Sequence, residues 1–175
     1  MRPIFETLRL FAREMTLADL DFVAGMLSDP EVMRYYPRLL TREESVGWVH
    51  REVEHYAAHG HGRWLILDKF GGNPVGQVGL RTGLVEGAVE TEVVWMIDRS
   101  FWRKGYATEA TAGSLDHGFQ VVGLVRAIAF IRPENLASRC VATKLGMDPH
   151  RRIEHNGLDH DVYRIGRETW EARGA

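Results

Sequence analysis

Residues 89–119 read VETEVVWMIDRSFWRKGYATEATAGSLDHGF, and a change of period inside this stretch decides the fold. From Val89 to Ile97 the residues alternate as a strand does. From Tyr106 onward, Ala107, Ala110, Thr111, Ser114, Leu115 and Phe119 recur at helical spacing. VRAIAFI, ending at Ile131, is a second short apolar strand. Strand, helix and strand over Val89 to Ile131 predict a parallel, right-handed crossover.

Upstream, WLILD and VGQVGLRT flank the turn GGNP and predict a hairpin with strands near Trp64 to Asp68 and Val75 to Arg81. With the strand at Val89 they form a meander. Two capping boxes, Thr16 with Asp19 and Thr41 with Glu44, predict two earlier helices. The first carries Leu20, Val23, Ala24 and Leu27. The second carries Val46, Val49, Val53 and Tyr56 and ends at Gly60 and Gly62. EVMRYYP between them is a short turn and loop, and Leu8, Leu10 and Ala12 mark an opening strand. Downstream, NLASRCVATKLGM is a helix closed by Gly146, and HRRIEHNGLDHDVYRIGRE is a hairpin turned at Asn156-Gly157. This order predicts an α/β (mixed α+β) fold over residues 1–175 as one domain, with a mixed sheet of about six to seven strands and about four helices.

The composition agrees. A chain of 175 residues allows one domain, and 45% hydrophobic with 26% charged residues excludes a disordered chain. A net charge of −2 leaves no global positive field for nucleic acid or an anionic membrane, so neither is expected as a partner. The opening MRPIFETLRLFARE has no apolar signal-like core, and no apolar run approaches the ~18 residues of a membrane span, which predicts a cytoplasmic protein. Cys140 is the one cysteine, so no disulfide within the chain and no Cys/His metal spacing exist, and no metal is expected. On its helix, between apolar residues, Cys140 reads as a small buried hydrophobe.

Chemistry concentrates between Ile97 and Glu109, where Arg103, Lys104 and Gly105 precede a helix. Unpaired N–H groups at a helix start, the helix dipole and a glycine that admits close approach together make an anion site. Neither GxxxxGK[ST] nor GxGxxG is present, so no nucleotide fingerprint applies. The plain alternative is a solvated basic turn.

ETEVVWMIDRSFWRKGYATEATAGSLDHGF resembles the acetyl-CoA-binding motif of the GCN5-related N-acetyltransferases (GNAT), and specifically the RimJ/RimL-like branch. ETLRLFARE, SDPEVMRYYP, ENLASRCVATKLGM and the strand before RETW extend the resemblance over most of the chain. It implies a splayed sheet, acetyl-CoA as cosubstrate, and acetyl transfer to a primary amine of a protein N-terminus, a peptide or a small molecule, in a protein compatible with a homodimer. The alternatives are a non-catalytic acyl-CoA-binding module and an N-acyltransferase using a larger acyl-CoA such as succinyl-CoA. Trp102 stands where the wider superfamily commonly has Gln or Arg, as is usual in this branch. Pyrophosphate binding therefore falls on Arg103, Lys104, Gly105, Tyr106, Ala107 and Thr108.

The resemblance further implies that the strands near Val93 to Ile97 and Ala127 to Ile131 part around the pantetheine arm, with a main-chain N–H of Met96 or Ile97 at the thioester oxygen. Glu92 is the candidate general base, although alternation leaves Glu90 on the same face. Asn135 is expected near the pantetheine and also suits a helix cap. Ser138, one turn on, is the candidate proton donor to the leaving thiolate, with Tyr163 second. Tyr35, Tyr36 and Trp95 are expected to line the acceptor entrance. His55, His59 and His61 read as a solvated helix end, Ser114, Asp116 and His117 as helix surface, and His150-Arg151-Arg152 as a solvated strand.

Overall fold

A computed structural model describes residues 3–173. The elements in chain order are β1 (Phe5–Glu6), β2 (Leu10–Arg13), α1 (Leu20–Ser28), α2 (Arg42–His59), β3 (Arg63–Asp68), β4 (Pro74–Val85), β5 (Ala88–Ile97), α3 (Tyr106–His117), β6 (Arg126–Ile131), α4 (Leu136–Lys144), β7 (Asp148–His155), β8 (Leu158–Gly166) and α5 (Arg167–Glu171). The eight strands lie in the order β1-β2-β3-β4-β5-β6-β8-β7. Every neighbouring pair is antiparallel except β5 and β6, which are parallel across α3.

Both faces of the sheet centre are covered. Trp64, Val78 and Trp95 stand in register across β3, β4 and β5 and face α3 and α4. Trp64 packs against His117 at 5.2 Å between ring centroids, and Trp95 bonds Ser138. The next row, Leu65, Gln77 and Met96, faces α2, where Trp48 Nε1 donates to Gln77 Oε1 at 3.0 Å. Cover on both sides is why WLILD is a continuous apolar run rather than an alternating one. Gly79 permits the tight β3–β4 approach, since a Cβ there would lie 1.9 Å from Gly62 O.

Local signals act as their chemistry requires. Glu44 N–H reaches Thr41 Oγ1 at 3.3 Å while Thr41 N–H reaches Glu44 Oε2 at 2.8 Å, closing the capping box of α2. Asn156 and Gly157, at φ 53° and 72°, turn β7 into β8. Three features exceed the expectation. β1 has two residues, too few to show a period. β4 and β5 run on as a ribbon to Val85 and Ala88, turned by Glu86 at φ 48° and Gly87 at φ 84°, a pair with only one recognised turn former. α5 follows β8 without an intervening loop. Among the described residues the sheet thus has eight strands rather than about six to seven, with five α-helices rather than about four.

Candidate functional site

The site begins at a fork in the sheet. β5 pairs with β4 along its whole length, from Gly76↔Ile97 to Val85↔Ala88, yet meets β6 at the single parallel pairing Glu92↔Ile128. Beyond that point the two strands part. Asp98 N–H turns to Val75 O on β4 at 2.9 Å, so by alternation the main chain of Ile97 turns into the gap. Met96 differs. A Cβ on Gly76 of β4 would lie 2.3 Å from Met96 O, so the Met96 peptide faces β4. Of the two expected N–H donors, Ile97 opens on the gap and Met96 does not.

At the wide end of the gap, Asp98 Oδ1 accepts from Ser100 N–H at 2.9 Å, and one 3₁₀ turn, Arg99–Phe101, leads to the loop before α3. Trp102 Nε1 donates to Ile97 O at 2.7 Å, so the residue that replaces Gln or Arg ties this loop to the end of β5. Arg103 at φ 61° and Gly105 at φ 79° are left-handed, and Gly105 is the N-cap of α3. Trp102, Arg103, Lys104 and Gly105 are exposed, while Tyr106, Ala107 and Thr108 are half-buried around the first helical turn. Open N–H groups at a helix start beside two cations fit a pyrophosphate.

A brace behind this loop lay outside the sequence reading. Glu109 Oε1 accepts from Thr7 Oγ1 at 2.6 Å and Arg9 N–H at 2.7 Å, and its Oε2 accepts from Arg9 Nε at 2.6 Å. Arg9 also donates to Lys104 O at 2.9 Å and covers the Tyr106 ring at 4.5 Å. Burial raises the Glu109 carboxyl, but the bonds from Thr7 and Arg9 outweigh it, and the group is held below its ordinary range. These residues are about 100 positions apart in the chain, so no local signal could join them.

At the narrow end of the fork stands Glu92. Glu90 forms an ion pair with Arg126, which separates the two carboxylates that alternation left equivalent. Glu92 is opposite Arg81 on β4, and Arg63 lies near it. Both arginines are already engaged by Glu52, which is 1% exposed and accepts from Arg63 Nη1 at 2.9 Å and Arg81 Nη1 at 2.7 Å. Burial pushes the Glu92 carboxyl up to about 7, against the opposing charge of Arg63, the main chain of Phe130 and the charge of Arg81. Tyr36 shares this environment. Burial raises its phenol, Arg63 opposes that shift and Glu92 adds to it.

Across the gap, Asn135 is the N-cap of α4, its Oδ1 accepting from Ser138 N–H at 3.1 Å. Ser138 Oγ accepts from Trp95 Nε1 at 3.2 Å. Trp95 therefore lies on the face of β5 opposite Glu92, beside Ser138 rather than at an entrance shared with Glu92. Tyr163 is buried, and its oxygen accepts from Arg139 Nε at 3.1 Å, which leaves the phenol proton free to donate. Tyr35 and Tyr36 wall a cavity of about 430 Å³ with Arg34, Arg132, Glu134 and Leu158, and Tyr35 OH donates to Glu134 O at 3.3 Å.

Three side-chain readings change. Cys140 is exposed, because α4 buries a narrow stripe through Val141, Ala142 and Leu145 and Cys140 lies off it. His55 and His61 are buried rather than solvated, because Gly60, at φ 72°, folds the end of α2 back onto β4. Thr82 N–H donates to His55 Nε2 at 3.2 Å, His61 Nδ1 lies 3.1 Å from Leu80 O, and burial holds His55 down at about 4. Ser114 is fully buried rather than on the helix surface, while Asp116 accepts from Trp170 Nε1 at 2.8 Å and His117 packs on Trp64. No helix among the described residues is long and apolar enough to cross a membrane.

Residues 9–148 match the family model described as an acetyltransferase (GNAT) domain. YkkB of Bacillus subtilis is 34% identical over 140 residues, covering 79% of this chain and 81% of that protein. The crystal structure of a GNAT-family acetyltransferase from Bacillus anthracis superposes with a TM-score of 0.80 at 27% identity, covering 94% of this chain and 98% of that one. RimL, a ribosomal L7/L12 alpha-N-protein acetyltransferase solved in complex with coenzyme A, shares the fold at a TM-score of 0.79 and 15% identity, covering 94% and 98% of the two chains.

Proposed function

Because the chain belongs to the acetyltransferase (GNAT) family, we propose that it transfers an acetyl group from acetyl-CoA directly to a primary amine, with residues 1–175 as one catalytic domain. The observation that carries this reading is the fork, with an anion-binding helix start at its wide end and a raised carboxyl at its narrow end. Acetyl-CoA supplies a thioester whose carbonyl carbon takes the amine nitrogen as the C–S bond breaks. The amides from Arg103 to Thr108, with the Arg103 and Lys104 side chains, receive the pyrophosphate. Unpaired main-chain groups along the gap receive the amide-bearing arm, and Asn135 retains its side-chain NH₂ for the same arm. The Ile97 N–H donates to the oxygen on which negative charge develops.

Glu92 receives the proton of the incoming ammonium. An ordinary glutamate near 4.3 would face an α-ammonium near 8 across almost four units, whereas at about 7 the difference is about one. The same raised value leaves a lysine, near 10.4, about three units away, which favours an α-amine. Ser138 Oγ, already accepting from Trp95, has its own proton free for the departing thiolate. Tyr163 is the second donor, its oxygen engaged by Arg139.

Release of CoA from acetyl-CoA must depend on added amine. Binding without turnover across peptides, polyamines and aminoglycosides would identify an acyl-CoA-binding module instead. Within that assay, Ser138→Ala lowers kcat about tenfold or more with the fold intact, and a wild-type kcat removes Ser138 from the mechanism. Arg9→Ala separates binding from chemistry. Releasing the loop at Lys104 and leaving Glu109 without its charged partner raises the KM for acetyl-CoA about tenfold, with kcat at saturation close to wild type. A change in kcat with KM unmoved would place Arg9 in a different role.

A further inference from the structure

The cavity of about 430 Å³ walled by Tyr35 and Tyr36 is electrostatically unfinished. Tyr36 belongs to its wall and also feels the charge of Glu92, which puts the cavity on the Glu92 side of the fork. Two guanidinium groups, Arg34 and Arg132, line it against one carboxylate, Glu134. That carboxylate is 64% exposed and 3.5 Å from Arg132 Nη2, a long ion pair open to solvent on the Glu134 side. The Nε of Arg132 is buried with no hydrogen-bond partner. Arg34 stands 5.8 Å from the centre of the Tyr35 ring and forms no ion pair among the described residues. Tyr35 holds the Arg34 loop against Glu134 O, which keeps both arginines on one cavity.

A buried guanidinium N–H left unpaired is costly, and a guanidinium fork is matched by a carboxylate. We infer that the acceptor is an α-amine carried by a molecule that also bears a carboxylate, as in an acidic amino acid or an N-terminus with an acidic second residue. Arg132 and Arg34 receive the carboxylate while Glu92 receives the ammonium. A polycationic acceptor meets two like charges here and is disfavoured. The inference rests on the acetyl-transfer reading above.

The test measures kcat/KM for alanyl-aspartyl-glycinamide against alanyl-asparaginyl-glycinamide, with free aspartate, aspartic diamide and spermidine alongside. The wild-type enzyme prefers the aspartyl peptide over its amide by about tenfold or more. Arg132→Met brings that ratio close to one, and Arg34→Gln reduces it. Because Arg34 is exposed, its variant keeps the test open if Arg132→Met fails to fold. A preference for free aspartate over the peptide assigns the carboxylate to a metabolite, and the reverse assigns it to a chain terminus; either supports the inference when the diamide is poor. Turnover with a wild-type ratio near one, a ratio unmoved in both variants, or preference for spermidine overturns this inference alone. No amine-dependent CoA release with any of them overturns the transferase reading and this inference with it.

Discussion

Gly105→Glu abolishes measurable acetyl-CoA binding. Gly105 sits at φ 79°, a left-handed conformation that costs an L-residue roughly 1–2 kcal/mol. A Cβ there would be 3.4 Å from Arg9 Nη2, so the new side chain also leans on the group that braces the loop. The larger effect is electrostatic. A carboxylate at the N-cap of α3 occupies the position proposed for an anionic pyrophosphate and competes for Arg9. Each 1.4 kcal/mol is a factor of ten, so repulsion together with the loss of Arg9 weakens binding by more than about a hundredfold. Gly105→Ala carries the strain without the charge and, because the left-handed φ is already present without CoA, lowers Tm while leaving the affinity much closer to wild type. Calorimetric titration with CoA reads both, with thermal unfolding as the control for folding. An unchanged affinity of the glutamate variant moves the phosphate site elsewhere.

Glu92→Gln lowers kcat/KM by roughly 10²–10³ near neutral pH and shifts the acidic limb of its pH profile upward. Wild-type kcat/KM rises with pH as the Glu92 carboxyl, at about 7, gives up its proton. It levels off as the amine itself becomes neutral near 8, because a neutral amine attacks without prior loss of a proton to Glu92. With Gln the reaction depends on amine that is already neutral, so the rise shifts to the pKa of the amine. Stability gives a second, independent readout. The folded value of about 7 lies above the ordinary 4.5, so the folded protein holds this proton more tightly than the unfolded chain does. The stability contributed by the protonated group is fully present below about pH 4.5 and is lost as pH rises through 7. Gln carries no such loss. The variant therefore gains Tm relative to wild type between pH 5 and pH 8. An unmoved acidic limb together with a flat Tm difference would reassign the base.

The three layers of this protein were legible to different degrees. Helix boundaries at Thr41 and Gly60, the hairpin at Asn156-Gly157 and the crossover from Val89 to Ile131 are written in local chemistry, and the structure has each of them. The two-residue β1 and the turn at Glu86-Gly87 are not, because pairing with a distant or flanking strand stabilises them rather than their own residues. Solvation was the least legible. His55 and Cys140 exchange their expected environments, since burial depends on which side of an element meets a neighbour.

The sequence by itself determined the order of elements, the parallel crossover and the position of the glycine that opens α3, because period and backbone conformation are properties of adjacent residues. Only the tertiary structure decided that Glu92 rather than Glu90 stands unpaired beside the fork, that Ile97 rather than Met96 turns its N–H into the gap, and that Arg9 braces a loop about 100 residues away. Each of those depends on a partner from another part of the chain, and neither charge pairing nor desolvation exists until the sheet brings the two together.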